Sequence, residues 1–184
     1  MSKDDFLTEK EAIDLLKKHS KGDEKAFTLV YEHSRAVKEL ALKTCKNLKP
    51  EIKIDIHLIE IGSILHDIGR FDCPPGKESI KHGITGSKIL LKENLPKCAN
   101  IAERHTGIGI TKQDIILQKL PLPVKDYVPE TNEEKIICYA DNRIKGTEVM
   151  DENYVVERFS EEIGPEYGER TKNFHEEIRK MMKQ

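Results

Sequence analysis

The segment from about residue 52 to 67 constrains the fold of this chain more than any other. It is rich in isoleucine and leucine, and Ile54, Leu58, Ile61 and Leu65 recur every three or four residues. That spacing and length predict a buried helix rather than a strand. The segment closes on His66-Asp67, followed by Gly69 and Arg70. A carboxylate at the end of an apolar helix needs compensation, because an unpaired buried charge is very costly. Asp67 therefore requires a strong partner, which is either Arg70 in an ion pair or a cation.

Helical punctuation continues through the rest of the chain. Thr8 and Glu11 form a capping box ahead of a short helix that Gly22 breaks. The next helix, about 24 to 47, places Ala26, Val30, His33, Val37, Leu40, Ala41 and Thr44 on one stripe. Cys73-Pro74-Pro75-Gly76 is a loop, since consecutive prolines forbid a regular helix. Helices follow at about 82 to 93 and 97 to 104, then a turn around Gly107 and Gly109, and a short helix at about 112 to 119. Thr131 and Glu134 predict a second capping box, opening a helix that runs to about Lys145. Two amphipathic helices, about 151 to 162 and 166 to 182, end the chain. No strand pair and no internal repeat are expected. The fold class is all-α, a single-domain helical bundle over 1 to 184, with the helices of 151 to 182 packing on the rest.

Composition narrows the function. Thirty-one basic residues stand against 33 acidic ones, a net charge of −2, which argues against an extended nucleic-acid surface. A charged fraction of 35% exceeds the roughly 25% of ordinary domains and reads as solvated helix faces. No run reaches the roughly 18 apolar residues that span a bilayer, and MSKDDF lacks the apolar core of a signal peptide. Cys45, Cys73, Cys98 and Cys138 are widely spaced and read as reduced thiols. A cytoplasmic location is expected.

The histidines divide by neighbourhood. His19, His57 and His175 are expected to be surface or packing residues. His33 lies on the apolar stripe of its helix, where filling a core is the plainer reading and binding a ligand the alternative. His82-Gly83 starts a helix and His105-Thr106-Gly107 ends one, and at such junctions a side chain can reach a cleft. Asp141 sits within an apolar helix and again asks for a partner. Four imidazoles and two carboxylates form a nitrogen and oxygen donor set suited to Mn, Fe, Co, Ni or Zn.

The order His33, His66-Asp67, His82, His105, Asp141 resembles the HD-domain phosphohydrolases, named for the His-Asp doublet. The branch resembled carries two extra histidines and includes diadenosine-tetraphosphate hydrolases and HD-GYP phosphodiesterases. Leu65-His66-Asp67-Ile68-Gly69-Arg70 looks like the doublet motif, with Arg70 where many members have lysine. Tyr139-Ala140-Asp141 looks like the terminal motif. The resemblance covers roughly residues 26 to 146, the HD-type metal-binding core. After His105 the chain reads Thr106-Gly107-Ile108-Gly109, without the GYP tripeptide, which argues against a cyclic dinucleotide.

The resemblance implies that His33, His66, Asp67 and Asp141 bind one metal, and that His82 and His105 bind a second, with Asp67 bridging. One or two divalent transition ions are the expected cofactors. The implied reaction is hydrolysis of a phosphate monoester, diester or anhydride by metal-activated water, on a nucleotide or other small phosphorylated substrate. Asp67 and Arg70 are the expected catalytic residues; Arg70, Arg143 and Lys81 are candidate phosphate contacts. A di-iron oxygenase with the same ligands and a non-catalytic metal- or nucleotide-binding regulatory module are the alternatives. A homodimer is left open.

Overall fold

The computed structural model describes residues 2–76 and 78–183. Its architecture is helical, as the periodicity predicts. Among the described residues, α1 (Glu9–His19), α2 (Glu24–Lys46) and α3 (Ile56–Leu65) come first. Then follow α4 (His82–Lys92), α5 (Pro96–Arg104), α6 (Lys112–Gln118), α7 (Asn132–Asn142), α8 (Glu152–Glu162) and α9 (Pro165–Met181). No described helix is long and apolar enough to cross a membrane.

Helix α3 is the axis of the bundle. Leu58, Ile59, Ile61, Ile64 and Leu65 are buried, because α1, α2, α5 and α7 all pack around it. It starts at Ile56 rather than near residue 52. The Asp55 carboxylate accepts the Leu58 N–H at 3.0 Å, so the helix is capped there. Ile52 and Ile54 still pack on the core, but from the segment ahead of the helix. Beyond Leu65, His66 closes the last turn and Ile68–Phe71 form a 3-10 turn.

That 3-10 turn lies directly on α4. A Cβ at Gly69 would sit 2.0 Å from the His82 carbonyl oxygen and 2.6 Å from the Gly86 nitrogen. One at Gly83 would sit 2.7 Å from the Ala102 oxygen of α5. The absence of side chains at these two positions lets the ends of α3, α4 and α5 approach one another.

Two expectations are corrected at α7. The Thr131 hydroxyl accepts the Glu134 N–H at 3.2 Å, but the return half of the capping box does not form. The Glu134 carboxylate instead takes the Arg104 guanidinium and the Glu130 N–H, at 3.0 and 2.7 Å. The helix also ends at Asn142, not Lys145. Ile144–Lys145 (β1) pairs antiparallel with Glu148–Val149 (β2) across a two-residue turn, where none was expected. Gly146 occupies that turn at φ 65°, a left-handed conformation that glycine adopts without strain. The C-terminal helices fall within a residue or two of expectation, and Val155, Phe159 and Tyr167 from them cover Ile108 as a second, smaller core.

Candidate metal centre

Helix ends deliver three of the histidines to one point. His66 follows α3, His105 follows α5, and His82 opens α4 just after a 3-10 turn. Each ring nitrogen Nδ1 lies close to the carbonyl three residues back: His66 to Ser63 at 2.7 Å, His82 to Ser79 at 2.6 Å, His105 to Ala102 at 2.8 Å. The fourth, His33 in α2, directs Nδ1 to the Gly146 carbonyl of the hairpin turn at 3.2 Å. A carbonyl only accepts, so each Nδ1 carries a proton and each ring turns its Nε2 inward, bare whenever the ring is neutral.

The Nε2 atoms converge on the two carboxylates. His33 Nε2 is 2.8 Å and His66 Nε2 3.5 Å from Asp141 Oδ1. His82 and His105 Nε2 are 3.2 and 3.4 Å from Asp67 Oδ1, while Asp67 Oδ2 faces His66 at 3.9 Å. The two oxygens of Asp67 thus face the two histidine groups. Asp67 sits at φ −99°, ψ 13°, the bridge region that recurs at active sites. Two triads, His33-His66-Asp141 and His66-Asp67-His105, each bring their ligand atoms within 4.8 Å of one another.

The donor set fits a metal. His66 Nε2 is buried with no hydrogen-bond partner among the described residues, which is costly unless something occupies its lone pair. The Nε2 atoms of His82 and His105 face each other at 2.9 Å, and with both Nδ1 atoms protonated they oppose two lone pairs. A cation relieves both conditions. Electrostatics agree. Burial opposes charge on Asp67 and Asp141, yet the surrounding histidines hold both carboxyls well below the usual carboxylate range. Burial pushes His82 down to about 3, keeping it a neutral donor. Burial also opposes charge on His33, but the Asp141 hydrogen bond and the charges of Asp141 and Asp67 push it up to about 9.

The remaining candidates separate. Arg70 Nε donates to Asp67 Oδ1 at 3.1 Å, so the ion-pair alternative is present alongside the cluster. Lys81 turns to Glu78 at 2.7 Å. Arg143 faces away, bonding the Tyr139 hydroxyl at 2.8 Å and the Met150 carbonyl at 3.0 Å, and lines a different cavity with Lys43 and Thr44. Its expected role as a phosphate contact is not what this geometry provides. Two residues along a helix is about 200° of rotation, so Arg143 cannot share the face of Asp141.

Sequence reasoning missed Arg158. An open cleft of about 360 Å³ over the cluster is lined by His33, Asp67, Arg70 and Asp141, and by Arg158 and Phe159 of α8. The guanidinium of Arg158 stacks over the Phe159 ring at 4.5 Å; its Nη2 donates to the Asn142 carbonyl at 3.4 Å, and its Nε is buried without a partner among the described residues. Nothing local in Glu157-Arg158-Phe159 distinguishes it from a surface arginine. Among the other histidines, His175 is buried in packing against Tyr139, and His57 bonds the Asp4 carbonyl at 3.0 Å.

A helical bundle that gathers four histidines and two aspartates beneath an arginine-lined cleft defines a class of domain that could hold a metal ion. The family described as HD domain matches residues 30–144. The chain therefore belongs to the HD-domain superfamily of metal-dependent phosphohydrolases. It is 42% identical over 137 residues to an uncharacterized protein of Methanocaldococcus jannaschii, covering 73% of this chain and 78% of that one. It is also similar to two proteins named tRNA (cytidine(56)-2'-O)-methyltransferase. The one from Picrophilus torridus is 37% identical over 84% of this chain and 43% of its own length. The one from Thermoplasma volcanium is 33% identical over 91% of this chain and 45% of its own. The chain thus spans less than half the length of those two relatives. No solved structure matches.

Proposed function

We propose that the protein hydrolyses a phosphate ester or anhydride of a nucleotide or other small phosphorylated substrate, using one or two divalent transition-metal ions. The observation that carries this reading is the convergence of four Nδ1-pinned imidazoles with Asp67 and Asp141 beneath a cleft that also holds Arg70 and Arg158. His33, His66, Asp67 and Asp141 would hold one ion; His82, His105 and Asp67 the other. When bound, such ions supply Lewis acidity and lower the pKa of water towards about 7.

The chain's own residues do the rest. Neutral imidazoles hold the site without adding negative charge that would repel a phosphate. Arg70 is bound to Asp67 through Nε, which leaves its terminal N–H groups to face a phosphoryl group in the cleft. Arg158 lines the same cleft from α8, with Nη2 3.4 Å from the Asn142 carbonyl, so two guanidiniums are at hand to orient a phosphoryl group there. Two relatives bear names tied to tRNA, which supports a nucleotide among the phosphate esters to be tried.

The test is metal analysis of purified protein joined to a panel of nucleotides, dinucleoside polyphosphates and simple esters. Phosphate release that stops with a chelator and in a folded Asp67→Ala variant is expected. Release indifferent to both overturns the reading. Substrate-dependent oxygen consumption with iron, without phosphate release, would favour oxygenase chemistry at the same ligands, and binding without turnover would favour a regulatory module.

A further inference from the structure

Beside the cleft lies a second cavity of about 160 Å³ whose wall is almost entirely carbon. Ile80, Ile110, Leu120, Phe159, Ile163 and Tyr167 line it. They come from the 3-10 turn before α4, the loop after His105, the end of α6, and helices α8 and α9. Thr106, Asp114 and Gln118 also border it, and two of its polar groups are engaged elsewhere. The Tyr167 hydroxyl accepts the Ile108 N–H at 3.1 Å, which leaves its ring facing inward. The Asp114 carboxylate accepts the Thr111 N–H at 2.8 Å and the Arg170 guanidinium at 2.9 Å.

This cavity and the cleft share walls: Gly107 and Phe159 line both. Phe159 is the meeting point of the two, with Arg158 stacked on its ring. Tyr167 lies edge-on to the same ring at 5.3 Å. A ligand anchored by its phosphate between Arg70 and Arg158 has an apolar compartment within reach. Its size is informative, because a cavity of about 150 Å³ lined by Leu, Ile and Phe takes up benzene.

Resting on the phosphohydrolase reading, we propose that the substrate's organic portion is a compact apolar or aromatic group of single-ring size, seated in this cavity. The residues that select it are Leu120, Ile163 and Phe159. Ile163 is at the rim and 44% exposed, so it can be changed without opening the core.

Two non-hydrolysable probes, phenylphosphonate and methylphosphonate, titrated calorimetrically into the metal-loaded full chain, decide the matter alongside steady-state kinetics on phenyl and methyl phosphate. Burying a phenyl-sized surface predicts that phenylphosphonate binds at least about tenfold tighter. Ile163→Gln, and separately Leu120→Gln, are expected to erase most of that preference and to raise the KM for phenyl phosphate while leaving methyl phosphate within about twofold. A preserved phenyl preference in binding with no turnover of any ester overturns the phosphohydrolase reading and leaves the cavity assignment standing. Equal binding of the two probes, binding of neither, or a preference that survives both variants overturns the cavity assignment.

Discussion

A change of pH from 6.5 to 8.5 probes the His33-Asp141 half of the site directly. In the metal-free protein the ring of His33 is held protonated up to about 9, burial notwithstanding, by the 2.8 Å bond to Asp141 and the charges of Asp141 and Asp67. A metal ligand must be neutral. At pH 7 the ring is two units below its pKa and about 99% protonated, so loading a metal ejects about one proton and loses roughly 2.7 kcal/mol, about 100-fold in affinity. His82, already neutral above about 3, ejects none. Calorimetric titration with Mn²⁺ in two buffers of different ionisation heat should therefore return close to one proton released at pH 7. Affinity should climb about tenfold per unit to pH 8.5. The metal-free protein should move the other way. A His pKa raised from 6.5 to about 9 contributes stability that is complete below 6.5 and lost as pH rises through 9, about 3 kcal/mol at most. The depressed carboxyl of Asp141 contributes above its ordinary value of 3.8 and loses that as pH falls, so the pair is strongest between about 4 and 6.5. Identical heats in the two buffers, with an affinity flat from pH 6.5 to 8.5, would refute this account of His33.

Other perturbations act on separate parts of the architecture. Metal at 100 times its Kd should add about 2.7 kcal/mol of stability, or roughly 5–11 °C in melting temperature for a chain of this size. A melting curve unmoved by chelator and metal would count against a metal centre. Gly69→Ala drives a Cβ to 2.0 Å from the His82 oxygen; overpacking of this kind costs about 1–3 kcal/mol or more, and urea unfolding should register it together with weakened metal binding. Arg158→Ala removes a charged hydrogen-bond donor from the cleft and should raise KM at least about tenfold. Arg143→Ala and Lys81→Ala, engaged elsewhere, should leave kcat/KM within about twofold of the parent. A large loss in either would restore it as a phosphate contact.

The parts legible from sequence are those encoded locally. His66, His82 and His105 sit at helix junctions marked by nearby glycines, and each takes its Nδ1 partner from only three residues back. A reading of helix ends therefore reaches them. What was not legible is set by residues distant along the chain. The partner of His33 is a carbonyl 113 positions away, in a hairpin of two-residue strands too short to leave an alternating pattern. Arg143 is adjacent to Asp141 in sequence and remote from the cleft in space. Arg158 is remote in sequence and adjacent in space, because α8 and α9 fold back over the loop that follows His105. Periodicity marks Phe159 as a buried position but cannot tell which helix end it covers.

The pinning of the imidazoles also bears on whether the cluster is only structural. Ion pairs between Asp67 and Arg70 and between His33 and Asp141 would suffice to balance the two carboxylates. They leave His66 Nε2 orphaned in the core, and His82 and His105 facing each other lone pair to lone pair, a cost with no structural return. His66 and His105 bond the carbonyls of Ser63 and Ala102 in the last turns of α3 and α5, where the helix itself leaves carbonyls unpaired, and His82 bonds Ser79 in the 3-10 turn ahead of α4. At His66 and His105, closing the helix and fixing the donor nitrogen are thus one interaction. The rings are oriented by bonds that exist before any cation arrives, so little reorganisation opposes binding, and partners of this kind are worth about 10–100-fold in metal affinity. Selection for helix ends alone would be met by glycine or asparagine. The choice of histidine at both ends, and again at the start of α4, with every Nε2 aimed at Asp67 or Asp141, is accounted for by a ligand that needs those nitrogens.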